Sequence, residues 1–566
     1  MTGGPSVVLV SMPFADGDRP SIQLGLLKPA VEAAGFRVRV MHAYLDFAAL
    51  IGVSAYRVLA QHRGRMFGDW LFSVAAFGDD APDPYAKILN DFADDLPELD
   101  LLDLRDRVVP AFLDALAADS IWRDARFVGF TSTFQQNTAS FALARRLRDR
   151  GIVTIFGGAN FEGEMGDEYL RAIDVIDHAV AGPGEAALPA LLAKLSNISD
   201  SSPEVVEVVE PLPDYDEYFE RAERLGILDR ESVILPFESS RGCWWGAKHH
   251  CTFCGLNGET MAYRSKPASR VLEELDALAR RYRTFRFEAV DNILDPRYLT
   301  TLMPALTDAG YDLFYEVKAN LGRDDLRLLA RAGVRRLQPG IESLRSRVLG
   351  LMKKGVSAAQ NVCLLKWARY YGIDVAWNVL WGFPGETAAD YEAQAAAMAH
   401  LVHLQPPGSA DRIWLERFSP LFQSVDGCPE PSYRYVYPAG VDLSRAAYFF
   451  DWPATLDDTV YEGVRAEVAR WQSVWPSASL TYRAIPGLLQ IRDRRSHPGT
   501  YTFPDPVAAI YLACDDRPRS AAGISRDLDL PRVTVDRVLD ELAARGLVFL
   551  DGDRALGLAL PAIPGR

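Results

Sequence analysis

Two successive series of short apolar runs, each run followed by a helical pattern, restrict this chain to layered folds of parallel strands and helices. The first series begins with SVVLVSM (6–12), an unbroken apolar run suited to a strand buried on both faces. A Gly/Asp/Pro-rich loop at Ala15–Pro20 follows, and then the helical pattern SIQLGLLKPAVEAAG, closed by Gly35. FRVRVM (36–41), RFVGFTS (126–132), GIVTIFGG (151–158) and DHAVAGPGE (177–185) supply further strands, with helices expected over 138–149 and after 185. The stretch 43–120 is acidic and mostly helical, and reads as an insertion. Together these units predict a doubly wound parallel sheet over residues 1–195. Ligands of such sheets lie beyond the carboxyl ends of the strands. Ser11, Thr131, Ser132, Gly157, Gly158, Gly182, Gly184 and Glu185 fall at those ends.

Residues 196–232 are polar and rich in Pro, Asp and Ser, the composition of a linker. A second series starts at 233 with SVILPFESSRGC. FRFEAVDN (285–292), YDLFYEVKANL (311–321), VRRLQPGIES (334–343) and IDVAWNVLWGFPGE (373–386) continue it, and DRIWLERFSP (411–420) supplies a sixth strand. Repeated βα units with polar strand ends predict a full or partial TIM-type β/α barrel over 233–425, its site at the C-terminal face. Residues 426–566 form a third region. About 430–500 is irregular and aromatic-rich, whereas 504–560 reads as three helices and two short strands around an Asp-Gly turn, the pattern of a winged helix. Its second long helix (530–546) sets Arg532, Arg537 and Arg545 against Asp536, Asp540 and Glu541. That mixed face opposes phosphate contact and favours peptide binding or capping of the barrel.

Charge narrows the partners. Lys and Arg number 61 and Asp and Glu 76, a net charge of −15 over 566 residues. Such a chain is a poor non-specific binder of nucleic acid or anionic membrane. No segment holds the roughly 18 apolar residues of a spanning helix. The first twenty residues lack a basic leader, which predicts a cytoplasmic protein with reduced thiols. Of six cysteines, Cys363, Cys428 and Cys514 are scattered, and Cys243, Cys251 and Cys254 lie within ESSRGCWWGAKHHCTFCGLNG. Their spacing is C-x7-C-x2-C. Three thiolates on a four-iron cluster leave one iron open to an external amine and carboxylate. Zinc is the competing reading, with His249 or His250 as fourth ligand and, by extension, a DNA-binding regulator.

On these residues, 230–420 resembles the radical S-adenosylmethionine (SAM) superfamily. The common spacing there is C-x3-C-x2-C. The seven-residue gap is similar to that of radical SAM enzymes that mature ribosomally made peptides. The resemblance implies a [4Fe-4S] cluster on Cys243, Cys251 and Cys254, with Phe253 as the aromatic residue before the last cysteine. It places Asp291 and Asn292 near the amino end of SAM. Glu316 and Lys318 share a strand face, and Lys318 pairs with the SAM carboxylate or within a salt bridge of its own. Glu342 and Ser343 suit ribose hydroxyls, unless Ser343 is a helix cap. In GFPGE (382–386), Gly382 lets backbone approach adenine or makes an ordinary turn.

The first domain resembles the Rossmann-like cobalamin-binding domain of one radical SAM subgroup, through FGGANFEGEMG (156–166), AVAGPGEAALPALL (179–192) and LPDYDEYF (212–219). Gly157 and Gly158 would admit the nucleotide tail, Thr131 and Ser132 the corrin amides, with Gly182, Gly184 and Glu185 nearby. The D-x-H-x-x-G motif is missing, and His42 reads as a surface or packing residue. The whole resemblance implies a cobalamin-dependent radical SAM C-methyltransferase acting on an unactivated sp3 carbon of a peptide precursor. A flavodoxin or ferredoxin would supply electrons. Epimerisation, oxidation, cyclisation or hydroxylation of the peptide is the alternative.

Overall fold

In the computed structural model, residues 5–62, 65–196, 211–256, 258, 261–495 and 498–562 are described. The first series folds into five parallel strands: β1 (Ser6–Ser11), β2 (Arg37–His42), β3 (Ala125–Thr131), β4 (Val153–Gly157) and β5 (His178–Val180). Their order is β2-β1-β3-β4-β5. Strand β1, flanked by β2 and β3, is wholly buried, and its side chains divide between two cores. Val7 and Leu9 pack with Leu24, Leu188 and Leu192 on one face. Val8 and Val10 face the core that includes Trp70, Leu71 and Phe72 of the helix Phe67–Phe77. The stretch 43–120 is therefore the helical layer on one face of the sheet. The helix Ile22–Ala33, between β1 and β2, starts where the Ser21 hydroxyl accepts from the Leu24 amide at 3.3 Å.

The expected linker is only in part a linker. Residues 197–210 lie outside the described residues, and Asp216–Arg224 is a helix that buries Tyr218, Phe219 and Ala222. An apolar face at helical spacing within the acidic stretch drives that burial. Tyr215 is fully buried, and its hydroxyl donates to the Pro236 carbonyl at 2.6 Å, joining the first sheet to the second series. His42 is buried against this helix, with Nδ1 2.6 Å from Glu217 Oε2 and Nε2 accepting from the Ser21 amide. It is a packing residue.

The second series forms β6 (Leu235–Phe237), β7 (Arg286–Ala289), β8 (Asp312–Glu316), β9 (Val334–Gln338) and β10 (Asp374–Val375), parallel and in sequential order. The fifth run breaks after β10 and resumes as β11 (Val379–Trp381), which pairs in parallel with β12 (Ala410–Arg412). A parallel bridge from Glu342 to Val379 connects the two groups. The result is a partial β/α barrel, and the mixed α/β class is the one the sequence predicts.

The region 430–500 departs from its irregular reading. It contains the helix Glu462–Val474 and an antiparallel sheet of Leu480–Ile485, Leu488–Asp493 and Gly499–Pro504. Beyond it, the helices Val507–Ala513, Ala521–Leu528 and Arg532–Ala544 precede the hairpin Val548–Asp551/Arg554–Gly557, a winged-helix arrangement. This unit docks on the barrel helix Ala358–Tyr371 through Lys366, whose ammonium donates to Asp515 Oδ1 (2.6 Å) and to the carbonyls of Asp515 and Gly557 (both 2.7 Å). Among the described residues no single helix is long and apolar enough to cross a membrane.

Candidate active site

The cysteine loop leaves the end of β6. At its base, Ser240–Arg241 pairs antiparallel with Arg264–Ser265. Gly242 closes the loop with φ +83°, and a Cβ there would lie 2.0 Å from the Ala262 carbonyl, so glycine is required. The seven residues between the first two cysteines make helix-like turns, with Ala247 N donating to Cys243 O (2.8 Å) and His250 N to Gly246 O (3.1 Å). Trp244 and Trp245 anchor the turns by donating to the carbonyls of Leu294 (3.0 Å) and Lys353 (3.2 Å). The Thr252 amide bonds Met352 O at 3.0 Å, and Gly255 N bonds Glu416 Oε2 at 2.6 Å.

Cys243, Cys251 and Cys254 are free and partly exposed. Cys251 lies within electrostatic range of Cys243 and Cys254 of Cys251, and each opposes its neighbour's ionisation. Burial raises Cys251 and pushes Cys254 up to about 12, while Lys354 draws both down. Thiols held protonated by burial ionise on binding a metal centre. Both histidines are engaged elsewhere. His249 stacks on Trp245 with centroids 4.1 Å apart, and His250 Nε2 lies 2.9 Å from the Cys254 carbonyl. Among the described residues no three His, Cys, Asp or Glu gather tightly enough for one metal ion.

The polar groups at the barrel mouth divide into two kinds. Glu316 is raised to about 7, first by burial and then by Glu342, with Lys354 opposing. Lys354 lies 3.4 Å from Glu342 and 5.6 Å from the Phe253 ring, which is edge-on to Phe383 at 5.7 Å. Lys318 does not pair with Glu316. Its ammonium sits 3.4 Å over the Trp245 ring and donates to the Lys354 carbonyl, and burial lowers it to about 8. These groups surround the thiols, and Lys354, absent from the sequence-derived set, is central among them.

Others are spent on structure. Asp291, expected near SAM, is fully buried and accepts from the Ser239 amide (2.8 Å), the Ser240 hydroxyl (3.0 Å) and the Ser239 hydroxyl. It pins the base of the cysteine loop, and Asn292 follows it half-buried. Ser343, expected near ribose, is buried, donates to Gln394 Oε1 (2.6 Å) and accepts from the Arg345 amide (3.1 Å). It is the turn cap before the helix Ser346–Leu351. Gly382 adopts φ +98°, and its amide and that of Phe383 donate to Glu386 Oε2 (2.9 and 2.8 Å). The same carboxylate takes the hydroxyls of Tyr391, Tyr461 and Thr455, which makes the GFPGE turn rigid.

A cleft of about 1090 Å³ opens between the carboxyl ends of the first sheet and the cysteine loop. Thr131, Gly157, Gly158, Gly182, Gly184 and Glu185 all line it. Ser132 and Ser11 do not. The Ser132 hydroxyl is turned inward to Asn137 Oδ1 (2.6 Å), and Ser11 accepts from Gln136 beside a separate cavity of about 300 Å³. Gly158 has φ +100°, and a Cβ there would lie 2.5 Å from the Ser132 carbonyl. The floor is apolar (Leu9, Leu24, Leu27, Ile155 and Leu188), and no histidine lines the cleft among the described residues. The opposing wall is Gly242, Gly258, Ala262, Tyr263 and Arg264 of the cysteine loop itself. Arg241 clasps the two walls, donating to Glu185 Oε1 (2.6 Å) and Glu238 Oε2 (2.7 Å). No local signal in the sequence marks that second wall.

Residues 237–395 match the family model of the radical SAM superfamily. An uncharacterized methyltransferase of Pyrococcus horikoshii is 25% identical over 161 residues, 27% of this chain and 34% of that protein. Among solved structures, the cobalamin-dependent S-adenosylmethionine radical enzyme OxsB with aqua-cobalamin bound gives a TM-score of 0.53 at 12% identity, over 81% of this chain and 65% of that one. The radical S-adenosylmethionine methyltransferase TsrM from Kitasatospora setae, with tryptophan and a SAM analog bound, gives 0.52 at 16% identity, over 83% and 89%. The chain thus spans about a third of the curated relative and 65% of OxsB. At these identities the structural likeness is one of fold, which it shares as a Rossmann-like layer followed by a partial barrel.

Proposed function

We propose that this chain is a cobalamin-dependent radical SAM C-methyltransferase whose substrate is a peptide precursor. One observation carries the reading: the three-cysteine loop at the end of the first barrel strand is also a wall of the large two-domain cleft. A cluster and a corrinoid in these two places would be neighbours.

Cys243, Cys251 and Cys254 would hold a [4Fe-4S] cluster, and the donor set fits one. Glu316, Lys318, Glu342 and Lys354 offer both charges that a zwitterionic amino acid needs, and Phe253 and the rigid 382–386 turn supply flat surfaces. The glycine strand ends and Thr131, set above an apolar floor of Leu9, Leu24, Leu27, Ile155 and Leu188, would admit a large planar cofactor. When bound, the cluster and SAM supply a carbon-centred radical and the corrinoid supplies a methyl group. The protein aligns these groups with the substrate C–H bond and excludes water.

OxsB and TsrM, described as binding aqua-cobalamin and a SAM analog respectively, support the cofactors. The winged-helix unit, with Arg532 tied to Asp536 at 2.8 Å, supports a peptide partner over DNA. The test is anaerobic purification with iron, sulfide and cobalt quantified, then turnover with methyl-labelled SAM. Four irons per chain with label in the peptide are expected. SAM cleavage without label transfer would move the reading to non-methylating radical chemistry. Stoichiometric zinc without sulfide would overturn both.

A further inference from the structure

The geometry points to Glu416 as a positioning residue that keeps the Gly255 amide from the cluster sulfurs and so holds the reduction potential down. The inference rests on the cluster reading above and adds a residue from outside the cysteine loop. Glu416 lies in the sixth run of the second series, where Leu415–Glu416 pairs antiparallel with Phe449 and Phe450. Its Oε2 accepts from the Gly255 amide at 2.6 Å and from the Tyr448 hydroxyl at 3.4 Å. The approach is so close that only glycine fits opposite. A Cβ on Gly255 would lie 2.7 Å from the Glu416 Cβ and 3.0 Å from the Tyr448 hydroxyl.

Hydrogen bonds to the sulfurs are one of the terms that set a cluster's potential, and backbone amides beside the cysteines are the nearest donors. Two amides of this loop already serve, Gly246 to Cys243 Sγ at 3.2 Å and Leu256 to the Cys254 sulfur. The amide between Cys254 and Leu256 goes to Glu416 instead. Burial raises the Glu416 carboxyl, with the Gly255 amide and the Tyr448 hydroxyl opposing. Its backbone is held from the far side. The Arg417 amide donates to the Tyr448 carbonyl at 2.8 Å, and the Arg417 guanidinium donates to the carbonyls of Ala447 and Ser444 (both 2.6 Å) and pairs with Glu164 of the first domain. The same segment grips the cysteine turn at a second point, where the Leu421 amide donates to the Thr252 carbonyl at 2.8 Å. Loss of the Glu416 carboxylate therefore leaves the turn attached and frees one amide next to a cluster ligand. A freed N–H beside Cys254 favours the reduced, more negative cluster, so the potential rises.

The test is a redox titration of the reconstituted holoenzyme with dithionite, read by the reduced-cluster resonance, in wild type, Glu416→Gln and Glu416→Ala. Glutamine keeps an acceptor for the Gly255 amide and removes the charge, whereas alanine removes both. Glu416→Ala should favour the reduced cluster about ten-fold or more, a rise of about 59 mV for one electron, at wild-type iron and sulfide content. Glu416→Gln should stay within about three-fold of wild type on the same scale. Gly255→Ala, which displaces the carboxylate from the other side, should shift the potential in the same direction as Glu416→Ala. An unchanged potential in a Glu416→Ala protein with full cluster content overturns the proposal. So does a glutamine shift as large as that of alanine, which would assign the effect to charge alone. Loss of iron from both the Glu416→Ala and Gly255→Ala proteins would make the contact one of cluster retention, and overturns it as well. A wild-type protein that takes up no iron and sulfide counts against the cluster reading instead.

Discussion

Replacing Lys366 by Met tests whether the winged-helix unit is held to the barrel by one buried cation. The Lys366 side chain is 0% exposed and all three ammonium protons have acceptors, Asp515 Oδ1 and the carbonyls of Asp515 and Gly557. Methionine keeps the stem and removes the charge. Among the described residues it leaves the Asp515 carboxylate, 6% exposed, with the Tyr482 hydroxyl at 2.7 Å as its remaining side-chain donor, and strips both carbonyls of a donor. Breaking a buried pair from one side costs about 3–5 kcal/mol. The loss should fall on docking first, because the ligands of Lys366 all belong to the winged-helix unit. Hydrogen exchange across 507–513 and 554–557 should therefore quicken before the barrel opens in urea. Adding Asp515→Leu should restore part of the loss, since an apolar pair strands no charge. A drop below about 1 kcal/mol in Lys366→Met, or uniform exchange through the barrel, would refute the argument.

Gly158→Ala places a methyl 2.5 Å from the Ser132 carbonyl at φ +100°. It should cost at least about 1–2 kcal/mol and weaken hydroxocobalamin binding, measured by absorbance titration, while iron content stays at the wild-type level. Single alanine replacements of Cys243, Cys251 or Cys254 should each abolish the reduced-cluster resonance without unfolding the protein, as read by circular dichroism. Asp69 is buried with its carboxyl raised to about 7, chiefly by burial. A carboxyl raised on folding binds its proton more tightly in the folded state. Its contribution is therefore whole below about pH 4 and is lost as pH rises through about 7, and Asp69→Asn should flatten that part of the stability profile in denaturant titrations.

The strand and helix positions were legible because they rest on local periods. The all-apolar β1 and the Asp-Gly hairpin of the winged unit are read from neighbours a few residues apart. The antiparallel sheet of 480–504 escaped because its two flanking strands expose many of their residues without clear alternation, although the middle strand Leu488–Asp493 alternates exposed and buried and the Pro486-Gly487 turn marks the hairpin. Asp291 and Ser343 show the limit at single residues. Each stands at a strand end, where ligand contacts and loop-pinning bonds use the same chemistry. Only the partners, Ser239 and Ser240 in one case and Gln394 in the other, distinguish the two.

Spacing alone brought three thiols onto one loop and a row of glycines to one sheet edge, since both are set by chain connectivity. That the loop forms the far wall of the cleft above those glycines is a tertiary fact. So are the Arg241–Glu185 clasp, formed across 56 residues, and the place of Lys354 beside Phe253. Such contacts depend on how two separately folded layers meet, and packing between layers leaves no period in the sequence of either.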